Sequence, residues 1–153
     1  MFENELRILK DLSHKHLVQL VGSYTDNDCV GLLMTPIADR DLGRFLKEKM
    51  TLSAAEDRRI RLRDFFGCMV TAVSYLHDHN IKHKDLKPEN ILVKGQNVYI
   101  TDFGTSYKWA DDGSDVTQDT AKGGFTLRYA APEIFSYSVS SCLARLTSQL
   151  TRL

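Results

Sequence analysis

Cysteine is scarce and odd in number: Cys29, Cys68 and Cys142 stand far apart. That spacing excludes a disulfide framework and a cysteine-based metal site, and the three are expected to be small buried hydrophobes. No apolar run approaches the roughly 20 residues that cross a bilayer. The start, Met1-Phe2-Glu3-Asn4-Glu5, is acidic and lacks the apolar core of a signal peptide. A soluble protein of the cytoplasm or nucleus is expected. Neither sign of charge is in excess, with Lys plus Arg and Asp plus Glu at 20 each. No net field therefore draws the chain to nucleic acid or anionic lipid, and neither is expected as a partner. Internal repeats and low-complexity segments are missing as well. What is there is 153 residues, 42% of them apolar, enough for about one domain with a core.

The apolar pattern gives a coarse order of elements. Phe2, Leu6, Leu9 and Leu12 step as one stripe of a helix over residues 2–12. Residues 17–24 and 28–34 read as two strands joined by the turn-formers Thr25-Asp26-Asn27. A short helix is expected over 41–50, with Asp41 as its cap and Leu42, Phe45 and Leu46 apolar. Ser53-Ala54-Ala55-Glu56 has the form of a capping box. After it Leu62, Phe66, Met69, Val73 and Leu76 step by four, three, four, three, the core seam of a long helix. Ile91-Leu92-Val93 and Val98-Tyr99-Ile100 flank turn residues 94–97 as a second hairpin. Beyond Glu133 there is no Asp or Glu. Val139, Leu143, Leu146, Leu150 and Leu153 form one more amphipathic helical stripe there.

Between the long helix and the second hairpin lies His83-Lys84-Asp85-Leu86-Lys87-Pro88-Glu89-Asn90. One short loop supplies a carboxylate, a cation and an amide. Phosphoryl transfer needs that set: a carboxylate to orient the attacking hydroxyl, a cation to offset phosphoryl charge and an amide oxygen to help hold Mg²⁺. Pro88 makes a regular helix through the loop unfavourable. Asp102-Phe103-Gly104 follows the strand-like Val98–Thr101, and Ala131-Pro132-Glu133 follows an irregular stretch.

These three motifs, in this order, resemble the catalytic loop, D-F-G and A-P-E signatures of protein kinases. One letter departs, Lys84 standing where the family usually has arginine. The resemblance implies an α+β, two-lobed protein kinase-like fold, truncated here to a small-lobe remnant of one helix and one hairpin beside a mainly helical large lobe. It implies a division into residues 1–34 (small lobe), 35–37 (hinge) and 38–135 (large lobe), with 136–153 an atypical tail. It also implies ATP and Mg²⁺, a protein substrate with a Ser or Thr acceptor, Asp85 and Lys87 as catalytic residues, and Asn90 and Asp102 as metal ligands. Met34, Thr35, Ile37, Asp41 and Leu92 would border the nucleotide. For Asp41, capping weighs above a ribose contact. Glu5 would be the glutamate that pairs with a strand lysine. Leu9 and Leu20 would stack with Phe103 and His83, and Thr126 would bond Asp85 and Lys87. Lys87 in place of alanine points to serine/threonine rather than tyrosine substrates. Ser114, Thr117 and Thr120 are candidate phosphorylation sites.

Two family features are missing. No G-x-G-x-x-G phosphate loop occurs, and the first lysine, Lys10, already follows Glu5. Both ends look cut, so Phe2, Leu6 and Ile8 are expected to face water on at least one side. Two other readings stay open: a catalytically inactive, pseudokinase-like binding module, and a truncated product.

Overall fold

The computed structural model describes residues 2–27, 29–49, 51–109 and 126–130. The candidate phosphorylation sites, Ala131-Pro132-Glu133, Cys142 and the tail stripe lie outside them.

Helix α1 (Phe2–Asp11) opens the chain, with Glu3 and Glu5 in its first turn and Lys10 in its last, the signs that suit a helix dipole. It buries Ile8 and Leu9, with Leu12 buried just past its end, while Phe2 and Leu6 are half-buried. Ile8, expected at the surface, is in the core. Strands β1 (Gln19–Thr25) and β2 (Val30–Thr35) form an antiparallel pair with Leu20 opposite Met34 and a bulge between Leu20 and Gly22. Leu17 and Val18, expected in β1, belong elsewhere. The Val18 N–H donates to Ile100 O (3.1 Å) and the Ile100 N–H to His16 O (2.9 Å). This bridge to Ile100 of the second hairpin ties the segment to it, while the Leu17 N–H donates to His14 O.

A two-residue strand β3 (Arg40–Asp41) leads into α2 (Leu42–Lys47), where Leu42 and Phe45 are buried and Leu46 is exposed. Helix α3 (Leu52–Asp78) is capped two residues before the expected Ser53. Thr51 is the cap: its backbone is extended and its hydroxyl faces the Ala54 N–H at 3.5 Å. The earlier start also lets the Ala55 N–H reach Thr51 O.

The buried face of α3 is Phe65, Ala72 and Leu76, flanked by half-buried Leu62, Met69 and Val73. Phe66, expected in the seam, is 66% exposed. The choice between adjacent phenylalanines is made by α2. Phe45 packs on Phe65 with ring centroids 5.6 Å apart, and the Arg61 guanidinium lies over both rings. Cys68 joins this packing half-buried, but Cys29 is exposed, against expectation.

Strand β4 (Ile81–Lys82) pairs with β7 (Tyr107–Lys108). Strands β5 (Ile91–Lys94) and β6 (Asn97–Ile100) form the second hairpin, and β3 adds to its edge. The turn is Gly95-Gln96; Gly95 has φ +56°, a conformation that glycine adopts without penalty. Two apolar clusters result. One gathers Leu9, Leu12, Leu17 and Val18 with Leu76, Ile100 and Phe103 between the hairpins; the other packs α2 against α3 and β5–β6. Each fully buried large side chain contributes about 1.5–3 kcal/mol. Among the described residues, no helix is long and apolar enough to cross a membrane.

Candidate active site

The loop 83–90 hangs between β4 and β5, and both of its ends are anchored in the core. Its middle ends in a single 3₁₀ turn, Pro88–Asn90, with Pro88 at the first position. The Asn90 N–H donates to Lys87 O and the Thr101 N–H to Asn90 O, each close to 3 Å. The second bond fixes the backbone beside Asp102 against that of Asn90. Asp102 itself has φ +66°, a left-handed conformation that Asp tolerates better than most residues.

Asp85 is the centre of the cluster and only 8% exposed. Lys87 Nζ donates to its Oδ2 at 2.6 Å, the Thr126 N–H to its Oδ1 at 2.9 Å, and Lys87 also reaches Thr126 Oγ1 at 3.0 Å. Asn90 Nδ2 contacts Asp85 O (2.9 Å) and Oδ2 (3.2 Å). Burial pushes the Asp85 carboxyl up, but the bonds from Lys87 and Thr126 outweigh it and hold it below its ordinary value. Lys87 is correspondingly held above its ordinary value by the Asp85 bond. Asp85 is therefore a carboxylate at neutral pH, held from two sides.

His83 supports the loop from below. Its ring packs on Phe103 with centroids 5.1 Å apart. Burial lowers its pKa against the opposing pull of Thr101 O, Asp102 and Asp85. The ring is thus neutral, with Nε2–H donating to Thr101 O at 2.9 Å and Nδ1 buried without a partner. The His83 carbonyl accepts from Thr105 and Ser106 hydroxyls. Leu9 and Phe103 share the first core cluster and Leu20 packs against it.

Glu5 comes within reach of this end of the site, where burial first and then Asp102 raise its pKa, partly opposed by a bond from the Phe103 backbone. A carboxyl whose folded pKa is raised favours folding fully below its unfolded value and loses that contribution as pH rises through the folded value. Glu5→Gln is therefore expected to raise the melting temperature slightly at pH 7, because glutamine keeps an oxygen for Phe103. The gain should fade below the ordinary glutamate value of 4.5; thermal melts across that range check it.

The remaining nucleotide-bordering candidates sit on other elements. Met34 and Leu92 are half-buried against the first cluster, and Leu92 lies opposite Asp41 in the sheet. Thr35 is exposed and Ile37 is 84% exposed. Neither bonds to the Asp85 cluster among the described residues. Asp41 accepts from the Arg44 N–H at 2.8 Å and pairs with its guanidinium, the capping role. Sequence reasoning missed Asn4, which donates to Ser106 O at 2.9 Å across 102 positions. It also missed the stacking of Lys84 on Tyr107 and of Lys82 on Trp109. No local signal marks any of these.

A family model described as the protein kinase domain matches residues 1–143. The chain belongs to the protein kinase family. Kinases similar to it include calcium/calmodulin-dependent protein kinase type 1 of Macrobrachium nipponense, 33% identical over 88% of this chain and 37% of the relative. A probable myosin light chain kinase of Dictyostelium discoideum is 36% identical over 87% and 33%. Human mitogen-activated protein kinase kinase kinase 5 is 32% identical over 85% and 9%. The chain thus spans little more than a third of the first of these kinases, and less of the others.

As for Mg²⁺, no group of three or more His, Cys, Asp or Glu side chains among the described residues could hold a metal alone. The expected donors would be the carboxylate of Asp102 and the amide oxygen of Asn90, whose N–H side is taken by Asp85. Two protein oxygens with the rest left to phosphate and water suit Mg²⁺.

Proposed function

We propose that the chain is the central part of a serine/threonine protein kinase domain, which transfers the terminal phosphoryl group of ATP to a protein hydroxyl. The observation that carries the reading is the closed set of bonds among Asp85, Lys87 and Thr126, with Asn90 bonded to the same carboxylate. It joins a hydroxyl-orienting anion, which is also the proton acceptor, and a cation at one point. Asp85, ionised at neutral pH, orients the acceptor hydroxyl. Being a weak base, it takes the proton late, as suits a loose transition state. Lys87, bonded to Asp85 and Thr126, would offset charge on the transferring group. Asn90 and Asp102 would hold Mg²⁺, which would supply charge to offset that of the phosphates. Met34 and Leu92 would wall the base. Thr35 and Ile37 would supply backbone groups, since Pro36 has no N–H.

The test follows Mn²⁺ in place of Mg²⁺ in nucleotide titrations of the isotope-labelled chain. Paramagnetic broadening is expected first at the Asn90 side-chain amide and at Asp102, and is expected to be lost in Asp102→Asn. Broadening confined to other residues would remove this pair as the metal site.

Lys84 carries a second expectation. A lysine is a compact point charge and lacks the two-pronged grip of arginine on phosphate. Activity of a completed domain should therefore depend little on phosphate at Ser114, Thr117 or Thr120. Loss of most activity in the triple alanine variant would contradict this.

The second reading is a non-catalytic binding module; the repulsion of Asp102 on Glu5, which raises the Glu5 pKa, is compatible with it. The retained Asp85, Asn90 and Asp102 weigh towards the enzyme.

A further inference from the structure

A cavity of about 330 Å³ opens away from the Asp85 cluster, none of whose residues line it. Three stretches of chain meet there. The connection from α1 to β1 supplies Ser13, His14 and Lys15, with Leu17, 1% exposed, as an apolar base. Gln19 and Thr35, directly opposite each other in the β1–β2 register, form a second side. Pro36 and the half-buried Tyr99 of β6 add two flat rings. A backbone bridge between Leu17 and Ile100 ties two of these stretches together. The Gln19 amide donates to His14 O (3.1 Å) and Leu17 O (3.4 Å), which fixes its wall. A concave site of this size, apolar with a few convergent polar groups, has the form of a small-molecule site.

The charges decide what head group fits. No Asp or Glu lines the cavity, and Lys15 has no ion pair among the described residues. His14 adds no second charge. Its Nδ1 accepts from the His16 N–H at 3.2 Å. Burial first, then His16 and Lys15, lower its pKa. The ring is therefore neutral at neutral pH, with its proton on Nε2. One cation, beside the neutral donors of His14, Ser13 and Thr35, suits a single carboxylate better than a doubly charged phosphate.

We infer that the cavity binds a small aromatic monocarboxylate, its ring against Leu17, Pro36 and Tyr99 and its carboxylate on Lys15. Aromatic rings prefer offset or edge contacts with one another, which Tyr99 can supply. Binding does not depend on the kinase reading, since the Asp85 cluster takes no part in it.

The test titrates benzoate into the isotope-labelled full chain, followed by nuclear magnetic resonance. Saturable shifts are expected at the backbone amides of Lys15, Gln19 and Thr35 and at the His14 ring. Lys15 is exposed, so Lys15→Met leaves the core untouched; it should weaken binding about threefold to fivefold. The uncharged benzamide should show the same loss on the unaltered chain. Lys47→Met, at an exposed lysine of α2, should leave benzoate binding unchanged. Phenyl phosphate should gain nothing from its second charge. Absence of shifts at these residues, or shifts confined to the exposed Phe66 and Val70 of α3, would overturn the inference. Equal affinity in Lys15→Met would do the same. Binding of phenyl phosphate about tenfold tighter would overturn the carboxylate as the ligand class.

Discussion

Replacing Asp85 by asparagine, in a chain completed with a glycine-rich phosphate loop and its strand lysine, is expected to lower kcat by about 10²–10⁴. Asparagine can still accept from the Thr126 N–H and from Lys87, so the geometry survives while the charge that orients the hydroxyl is lost. Stability should change little. The lost charge weakens the bond to Lys87, but burial opposes the ionised form of Asp85, and removing the charge relieves that cost. The pH dependence has a definite sign. Because the folded pKa of Asp85 is below its ordinary 3.8, its contribution is complete above that value and is lost as pH falls through the lower folded value. Any deficit of Asp85→Asn should thus be seen at pH 7 and shrink in strong acid. Steady-state kinetics with denaturant melts at both pH values check the two halves. Unchanged turnover would remove Asp85 from the chemistry.

The chain as it stands is expected to fall far below the roughly 1–100 s⁻¹ of protein kinases. It has neither a G-x-G-x-x-G loop nor a lysine before Glu5. Groups that stabilise transition-state charge are each worth about 10²–10³ in rate, and here both the phosphate cover and its cation are missing. Glu5 reports the same gap. Its pKa is raised, whereas a lysine partner would lower it. Supplying the loop and lysine on a preceding segment should restore turnover and bring the Glu5 pKa down together. Turnover in the normal range by the unaltered 153-residue chain with Mg-ATP and a Ser/Thr substrate would refute this.

The parts of this site that are local in sequence were legible there. Asp85, Lys87 and Asn90 share one loop, and a two-residue turn at Gly95-Gln96 returns the chain to Asp102. Alternation and turn chemistry suffice for that hairpin. The bond from Thr126 to Asp85 spans 41 positions and was expected only through family resemblance. Periodicity could not choose between Phe65 and Phe66, because either fits a three-four repeat; Phe45 and Arg61, from outside the stripe, decide it. The cap of α3 is Thr51 rather than Ser53 because sequence offers two hydroxyls near the helix end and pattern alone cannot choose between them. Leu17 and Val18 read as strand by composition, yet their partner is Ile100, more than eighty positions away. Ile8 was misplaced for a related reason. Ile8 and Leu9 of α1 share one cluster with Leu17, Val18 and Phe103, partners that no periodicity within α1 could reveal.

The claim that Asp85, Lys87, Thr126, Asn90 and Asp102 form a phosphoryl-transfer site is tested most directly by labelled-phosphate transfer from Mg-ATP to a peptide library, using the completed chain. The account predicts label on serine and threonine but not tyrosine, lost in Asp85→Asn and restored in Asp102→Asn only at raised Mg²⁺. A completed chain that binds ATP yet labels nothing, or that labels equally well as Asp85→Asn, would contradict it.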